Sequence, residues 1–198
     1  MKILLMNSGG YDSTVCLHLL KSLGHEVTSG FVEYGQRSLK QERGSAIANS
    51  DRIGANFKSF YVDLAFAMSS KLYIPQRNLV LLSMGLSYAE SKDYEAVAFG
   101  FHKHDDESTY FCDNSPDFFY RMKEQANLAG IELLAPLLYA NKKEVYTLGN
   151  KLGIDLKNIW SCDFPSSEGK RCGKCDKCED EINGATGVYW SKEGNENG

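Results

Sequence analysis

Residues 1–13 read MKILLMNSGGYDS: an apolar run over 2–7, a Ser-Gly-Gly break, then a helical pattern. Val15, Leu19, Leu20 and Leu23 give residues 13–23 the spacing of a helix, and Gly24 ends it. A buried strand that runs into a glycine pair at the head of a helix is the local plan of an anion cradle. Gly9 and Gly10 let the backbone come close to a phosphate, and the exposed N–H groups with the positive helix end supply the charge. Ser8 and Ser13 add hydroxyl donors, and Asp12 is placed to hold a Mg²⁺ that bridges phosphate oxygens. The lysine of the common loop G-x-x-x-x-G-K-[ST] is missing. A plainer reading is a strand-to-helix turn with glycines for tight packing and Asp12 or Ser13 as the cap.

Outward from this stretch the pattern repeats. Further strands are expected at 26–34, 57–64, 96–101 and near 133–137, with helices at 39–53, 79–91, 117–129 and 142–152. Strands alternating with helices imply an α/β fold: a parallel, Rossmann-like sheet with helices on both faces. Ligands on such a sheet bind beyond the carboxyl ends of its strands. The segments to watch are therefore 8–13, 34–37, 102–113 and the surroundings of Pro136. The tail 191–198, SKEGNENG, is polar and expected to fray.

A length of 198 residues accommodates one α/β domain with a small appendage. A formal net charge of -4 argues against a bulk electrostatic grip on nucleic acid. No apolar run is long enough to span a bilayer, and the N-terminal run is too short for a signal peptide. The expected compartment is the cytoplasm.

The cysteines are uneven. Cys16 and Cys112 stand alone, whereas Cys162, Cys172, Cys175 and Cys178 have the spacing C-x9-C-x2-C-x2-C. Four thiolates in one loop suit tetrahedral Zn²⁺, and closed four-cysteine sites are structural as a rule. Lys170, Arg171, Lys174 and Lys177 offset the negative charge of such a site. A redox C-x-x-C is the other reading, and many zinc ribbons bind nucleic acid. Without a basic stripe or interleaved aromatics, a structural clamp is favoured. The expected organisation is an α/β domain over 1–158 and a zinc-binding region over 159–198.

SGGYDS resembles the signature of the PP-loop ATP pyrophosphatases, a superfamily with a HUP-like α/β fold. Combined with the C-terminal S-C…C-G-K-C-x-x-C, it makes the chain similar to the 7-cyano-7-deazaguanine (preQ0) synthase family. Other segments agree in order. YGQR at 34–37 with Glu42 resembles Y-G-Q-R-H…E, with Ser38 in place of histidine. IPQRN at 74–78 resembles V-P-G-R-N, with Gln76 in place of glycine. Residues 99–119 resemble G-x-H-x-D-D…Y-P-D-C-x-P-E-F loosely, and KKEV at 142–145 resembles K-x-E-I. The chain departs from the pattern at Asn114, where the family has cysteine, and after Cys178, where EDEINGATGVYW replaces a basic helical stretch.

The resemblance implies an ATP-dependent carbon–nitrogen ligase acting on 7-carboxy-7-deazaguanine and ammonia. The product is the nitrile, reached through an adenylated carboxylate and an amide. A rival keeps the fold but stops at the amide or passes the deazapurine to another acceptor. A third reading is a zinc-ribbon nucleic-acid-binding module that uses ATP as a regulator. The favoured reading calls for ATP, Mg²⁺ and Zn²⁺, a small-molecule substrate, no membrane, no direct nucleic-acid contact, and a homodimer.

It also implies residue roles. Ser8, Gly9, Gly10, Asp12 and Ser13 hold the ATP phosphates and Mg²⁺, and Gln36 lines the same cleft. Asp12, Arg37 and Lys142 are the catalytic set, with Arg37 meeting charge on the α-phosphate or else pairing with Glu42. Arg77, Asn78, Asp105, Tyr110 and Asp113 are the substrate set. An acidic side chain such as Asp105, Asp106 or Asp113 would pair with the guanine-like edge, and Tyr110, Phe101 or Phe111 would stack on the ring. Asn78 has a second reading as a helix cap; His102 and His104, an H-x-H pair that could bind metal, are favoured as polar loop residues.

Overall fold

The computed structural model describes residues 1–68, 73–102 and 111–186, with side chains described as far as Asn183. Residues 3–6 of the opening stretch are all buried and alternate between two cores, the period of a central strand. That strand, β1 (Lys2–Met6), is joined by β2 (Glu26–Glu33), β3 (Asn56–Tyr61), β4 (Ala96–Phe99) and β5 (Glu132–Leu134). All neighbouring pairs are parallel, in the order β3-β2-β1-β4-β5.

The helices are α1 (Tyr11–Ser22), α2 (Leu39–Arg52), α3 (Arg77–Ser91), α4 (Pro116–Leu128), α5 (Lys142–Lys151) and α6 (Asp176–Thr186). Ile3 and Leu5 pack with Val15 of α1 and Val145 of α5. Leu4 and Met6 face the other way, onto Leu82 of α3 and Phe118 and Met122 of α4. Each such apolar side chain contributes about 1.5–3 kcal/mol when fully buried. Helices therefore cover both faces, as alternating strands and helices required.

The topology places the site. From β1 the chain winds to β2 and β3 on one side, then crosses back to β4 and β5 on the other. The crevice at this switch lies beyond the paired ends of β1 and β4, where Met6 stands opposite Phe99. Residues 8–13 and 100–102 both emerge into it.

Several boundaries differ from the sequence reading, each for a local reason. Helix α1 starts at Tyr11 with Gly10 as its extended N-cap, and no side chain caps it. Asp12 and Ser13 therefore lie inside the first turn and are not the cap. Strand β4 stops at Phe99 because Gly100 runs against the loop: a Cβ there would sit 3.2 Å from Ser13 N. The expected strand at 133–137 is the shorter β5 plus an isolated bridge between Leu137 and His102. Strand β3 ends at Tyr61, ahead of a 3-10 turn at Ala65–Ala67. Helix α6 was not anticipated. The tail 191–198 lies outside the described residues. Among the described residues no helix is long and apolar enough to cross a membrane.

Candidate active site

Asn7, the last residue before the glycines, organises the loop. Its amide donates to Ser29 Oγ on β2 at 2.9 Å, while its carbonyl accepts from Gly9 N and Ser13 Oγ, each at 2.9 Å. Gly9 has φ 77°, and a Cβ on it would lie 2.2 Å from the Glu42 carbonyl oxygen of α2. Only glycine fits such a place. Ser45 Oγ of α2 donates to Gly9 O at 2.6 Å. Ser8 Oγ and Ser13 Oγ lie 3.2 Å apart across the loop. Intrahelical bonding in α1 starts with Thr14 N to Gly10 O, which leaves the N–H groups of Tyr11, Asp12 and Ser13 ahead of it, and these three residues line the crevice, as an anion cradle requires.

Asp12 does not stand alone. Lys142 Nζ, at the first residue of α5, donates to its two oxygens at 2.8 and 2.9 Å. His102 Nε2, at the end of the β4 segment, lies 3.7 Å from Asp12 Oδ2. Burial pushes the Asp12 pKa up, but Lys142 and then His102 outweigh it and hold the carboxyl below its ordinary value. The contact depends on the docking of α5. Asn141 and Glu144 form a capping box at its start. Tyr11 stacks on Tyr146 with ring centroids 4.0 Å apart, and Gly149 makes room for the Tyr11 hydroxyl. Burial, with Asp12 next door, raises the Tyr11 phenol to about 12, so it stays neutral.

These groups line one end of a cavity of about 890 Å³. Gln36, Arg77, Asn78 and Asp113 line it elsewhere, so the structure brings together all the described members of the expected set except Gly9 and Arg37. Gly9 turns its backbone toward α2. Arg37 is exposed, sits 5.8 Å from the Phe164 ring centroid, and lines a neighbouring depression of about 460 Å³. Arg77 lies 5.8 Å from the Tyr34 ring centroid. Asn78 and Asp113 bind one another: Asn78 N donates to Asp113 Oδ2 and Asn78 Nδ2 to Asp113 O, both at 2.9 Å. Asp113 thus caps α3 from a distant loop, so Asn78 is capped and does not itself cap the helix. His104, Asp105, Asp106 and Tyr110 fall outside the described residues.

The far wall comes from the cysteine segment. Trp160, Ser161, Asp163, Cys175 and Lys177 all face the cavity. Trp160 N reaches Ser45 Oγ at 3.2 Å, and Asn49 Nδ2 donates to Asn158 O at 2.8 Å, which stitches the segment to α2. Ser161 Oγ is buried and has no partner among the described residues. It lies 4.0 Å from the place of a Cβ on Gly10, beside the loop.

The sulfur atoms of Cys162, Cys172, Cys175 and Cys178 all lie within 4.8 Å of one another. A tetrahedral site with Zn–S bonds of ~2.3 Å needs sulfurs about 3.8 Å apart, and Cys172 and Cys178 already stand at 3.9 Å. Burial lifts the thiol of Cys162 and takes that of Cys178 up to about 12, while the Lys174 N–H draws Cys172 down to about 7. A dication reverses the balance at the buried pair, because coordination strips the thiol proton. Arg171, which pairs with Glu181 at 2.8 Å and also reaches Ile159 O, ties α6 to this loop.

Sequence reasoning missed Asn7, Tyr11 and Ser161. Asn7 and Tyr11 flank the glycines and Ser161 precedes Cys162, so position was the available signal; burial and partners came only from the fold.

The family model described as "Queuosine biosynthesis protein QueC" matches residues 2–72 and 63–187. A 7-cyano-7-deazaguanine synthase of Pseudoalteromonas atlantica is 31% identical over 204 residues, covering 91% of this chain and 92% of that one. One from Methanocaldococcus jannaschii is 32% identical over 216 residues, covering 90% and 91%. Among solved structures, NMN synthetase from Francisella tularensis shares the fold at a TM-score of 0.58 and 16% identity, covering 96% of this chain and 79% of that one.

Proposed function

The chain belongs to the QueC family of queuosine biosynthesis proteins, and from this we propose that it converts 7-carboxy-7-deazaguanine and ammonia to 7-cyano-7-deazaguanine at the expense of ATP. A carboxylate is a poor electrophile. Adenylation turns its oxygen into a leaving group, ammonia displaces AMP to give the amide, and a second adenylation on the amide oxygen allows loss of AMP to the nitrile. None of these steps needs a protein nucleophile, so the protein's work is positioning and charge stabilisation.

The observation that carries this reading is the meeting of the Asp12–Lys142 pair, the glycine loop and the cysteine wall around one cavity. The backbone around Gly9 and Gly10, with Ser8 and Ser13, holds pyrophosphate at the head of α1. Ser161 supplies a buried hydroxyl that a phosphate oxygen satisfies. Asp12 fits a Mg²⁺ on the phosphates, and Lys142 then meets the phosphoryl charge in its place. Arg77 and Asn78, with Asp113 fixing the latter, form the side open to the deazapurine; Asp105 and Tyr110 are assigned to the same substrate. Arg37 serves at the cavity rim and Gln36 as a holder within it. Cys162, Cys172, Cys175 and Cys178 hold Zn²⁺, whose role is to shape the wall, and residues 159–198 form a region appended to the 1–158 domain. Four reduced thiols suit the cytoplasm. We assign the working unit as a homodimer that takes ammonia as its nitrogen donor and makes no direct nucleic-acid contact.

Stoichiometry tests this directly. Two AMP and two pyrophosphate should form per nitrile, and Asp12→Ala should lower AMP release about 10²-fold or more, the scale of losing one charge-stabilising group. AMP release unchanged in Asp12→Ala would refute the role of the loop.

A further inference from the structure

Glu42 stands in the first turn of α2 and faces the large cavity. Both of its carboxylate oxygens are held, and both by neutral donors. Ser38 Oγ donates to Oε1 at 2.6 Å, and Gln36 Nε2 donates to Oε2 at 3.3 Å. The Gln36 amide is itself held at both ends: its oxygen accepts from Tyr34 N at 2.9 Å, and its nitrogen also donates to Val32 O at 3.0 Å. Gln36 therefore acts as a bracket that fixes Glu42 against the end of β2.

No cation lies within ion-pair distance of Glu42 among the described residues. Arg43 turns to Glu33 at 3.1 Å, and Lys177 to Asp163 at 2.7 Å. Burial raises the Glu42 pKa; the bonds from Ser38 and Gln36 and the charge of Lys177 oppose it, and Asp163 adds to it. Tyr34, with Arg77 over its ring, lies near enough to feel the Glu42 charge. A carboxylate kept uncompensated and oriented at a cavity wall is placed to take up a proton.

We propose that Glu42 is the proton acceptor of the amination step. This rests on the ligase reading above. The nitrogen lone pair of ammonia attacks the carbonyl carbon of the acyl adenylate and forms the C–N bond. The resulting –NH₃⁺ passes one proton to the Glu42 carboxylate. Collapse of the adduct then breaks the C–O bond to AMP, which leaves with the electron pair. Gln36 and Ser38 are positioning residues for this acceptor, and the carboxylate also attracts ammonium to the site.

The test uses the full chain and the isosteric variant Glu42→Gln. Carboxydeazaguanine-dependent ATP–pyrophosphate exchange, which needs no ammonia, should stay within about twofold of the wild type. Amide formation with ammonia should fall 10²-fold or more, as expected on loss of a general base, and the acid limb that remains once rates are expressed per free, unprotonated ammonia should disappear. Hydroxylamine, whose nitrogen sheds its proton far more readily, should restore trapping as the hydroxamate to within about tenfold of the wild type. Glu42→Asp should retain partial amide formation with a displaced acid limb, which guards against misfolding of the glutamine variant. Equal amide formation by Glu42→Gln and wild type would overturn the proposal. So would loss of exchange by both variants, which would make Glu42 a ligand for ATP or its cation. Wild-type protein without exchange would instead overturn the ligase reading.

Discussion

The cavity has two walls built on different principles. On one side α5 docks on α1 through side-chain packing: Tyr11 on Tyr146, Gly149 under the Tyr11 hydroxyl, and Lys142 on Asp12. On the other, the cysteine segment has few large apolar residues, and Phe164 and Ile182 are left exposed. Beyond Ile159, its buried apolar anchors are Cys162 and Cys178. The packed wall carries its stability in contacts formed on folding. On the zinc assignment proposed above, the cysteine wall takes it from a cation bound by four sulfurs that only the folded arrangement brings together.

The largest effect should therefore appear on the cysteine side. Cys175→Ser, or chelation of the wild type, should release zinc and lower the melting temperature by more than any single change on the packed wall. Structural zinc contributes ~10–16 kcal/mol in isolated fingers, though part of that is retained when a domain supports the loop. Zinc retained at full stoichiometry in Cys175→Ser would break the comparison. The next effect belongs to Gly149→Ala, because its Cβ would lie 2.0 Å from the Tyr11 hydroxyl oxygen. Overpacking of this kind costs about 1–3 kcal/mol. Tyr11→Phe removes the nearest clashing atom and only a long 3.4 Å hydrogen bond to Tyr146 O, but leaves ring carbon Cζ 2.7 Å from that Cβ, so the double variant should recover part of the loss. Denaturant melts of the four species measure it.

Two of the carboxylates that line the cavity, Asp12 and Glu42, should titrate with opposite signs. Asp12 is held below its ordinary value, so its contribution to stability is present above ~3.9 and is lost as pH falls through the lowered folded value. Glu42 is raised, so ionising it works against the fold as pH climbs past ~4.3 and through the raised value. Glu42→Gln should melt above the wild type at pH 8, with the gap closing toward pH 4. A gap that widens in acid would contradict the assigned shift. The smallest effect is expected at Gln76, which holds φ 56° where glycine is the easy residue. Gln76→Gly relieves that conformation but loses the 3.0 Å contact to Cys112 Sγ and loosens the unfolded chain. Its net change should stay under about 1 kcal/mol.

These regions also differ in how far the sequence revealed them. The glycine loop was legible because its chemistry is local: strand, glycines and helix follow one another within 13 residues. The four cysteines were legible because metal spacing is a sequence property. The Asp12–Lys142 contact joins residues 130 positions apart, and only the parallel order of β1, β4 and β5 brings α5 over α1. Gln36 read as a cleft residue and does line the cavity; its hold on Glu42 was not legible, because that contact exists only once β2 and α2 are in place. Helix α6 went unread because its acidic sequence departs from the family pattern, whereas its pairing with Arg171 depends on the folded loop.

The central claim is that this cavity makes a nitrile from an acid. Purified protein should be incubated with 7-carboxy-7-deazaguanine, ATP, Mg²⁺ and ¹⁵N-labelled ammonia, and the products resolved by mass. The account predicts transient labelled amide followed by accumulation of the labelled nitrile, with AMP rising alongside. Labelled amide as the only end product, however long the reaction runs, would contradict it.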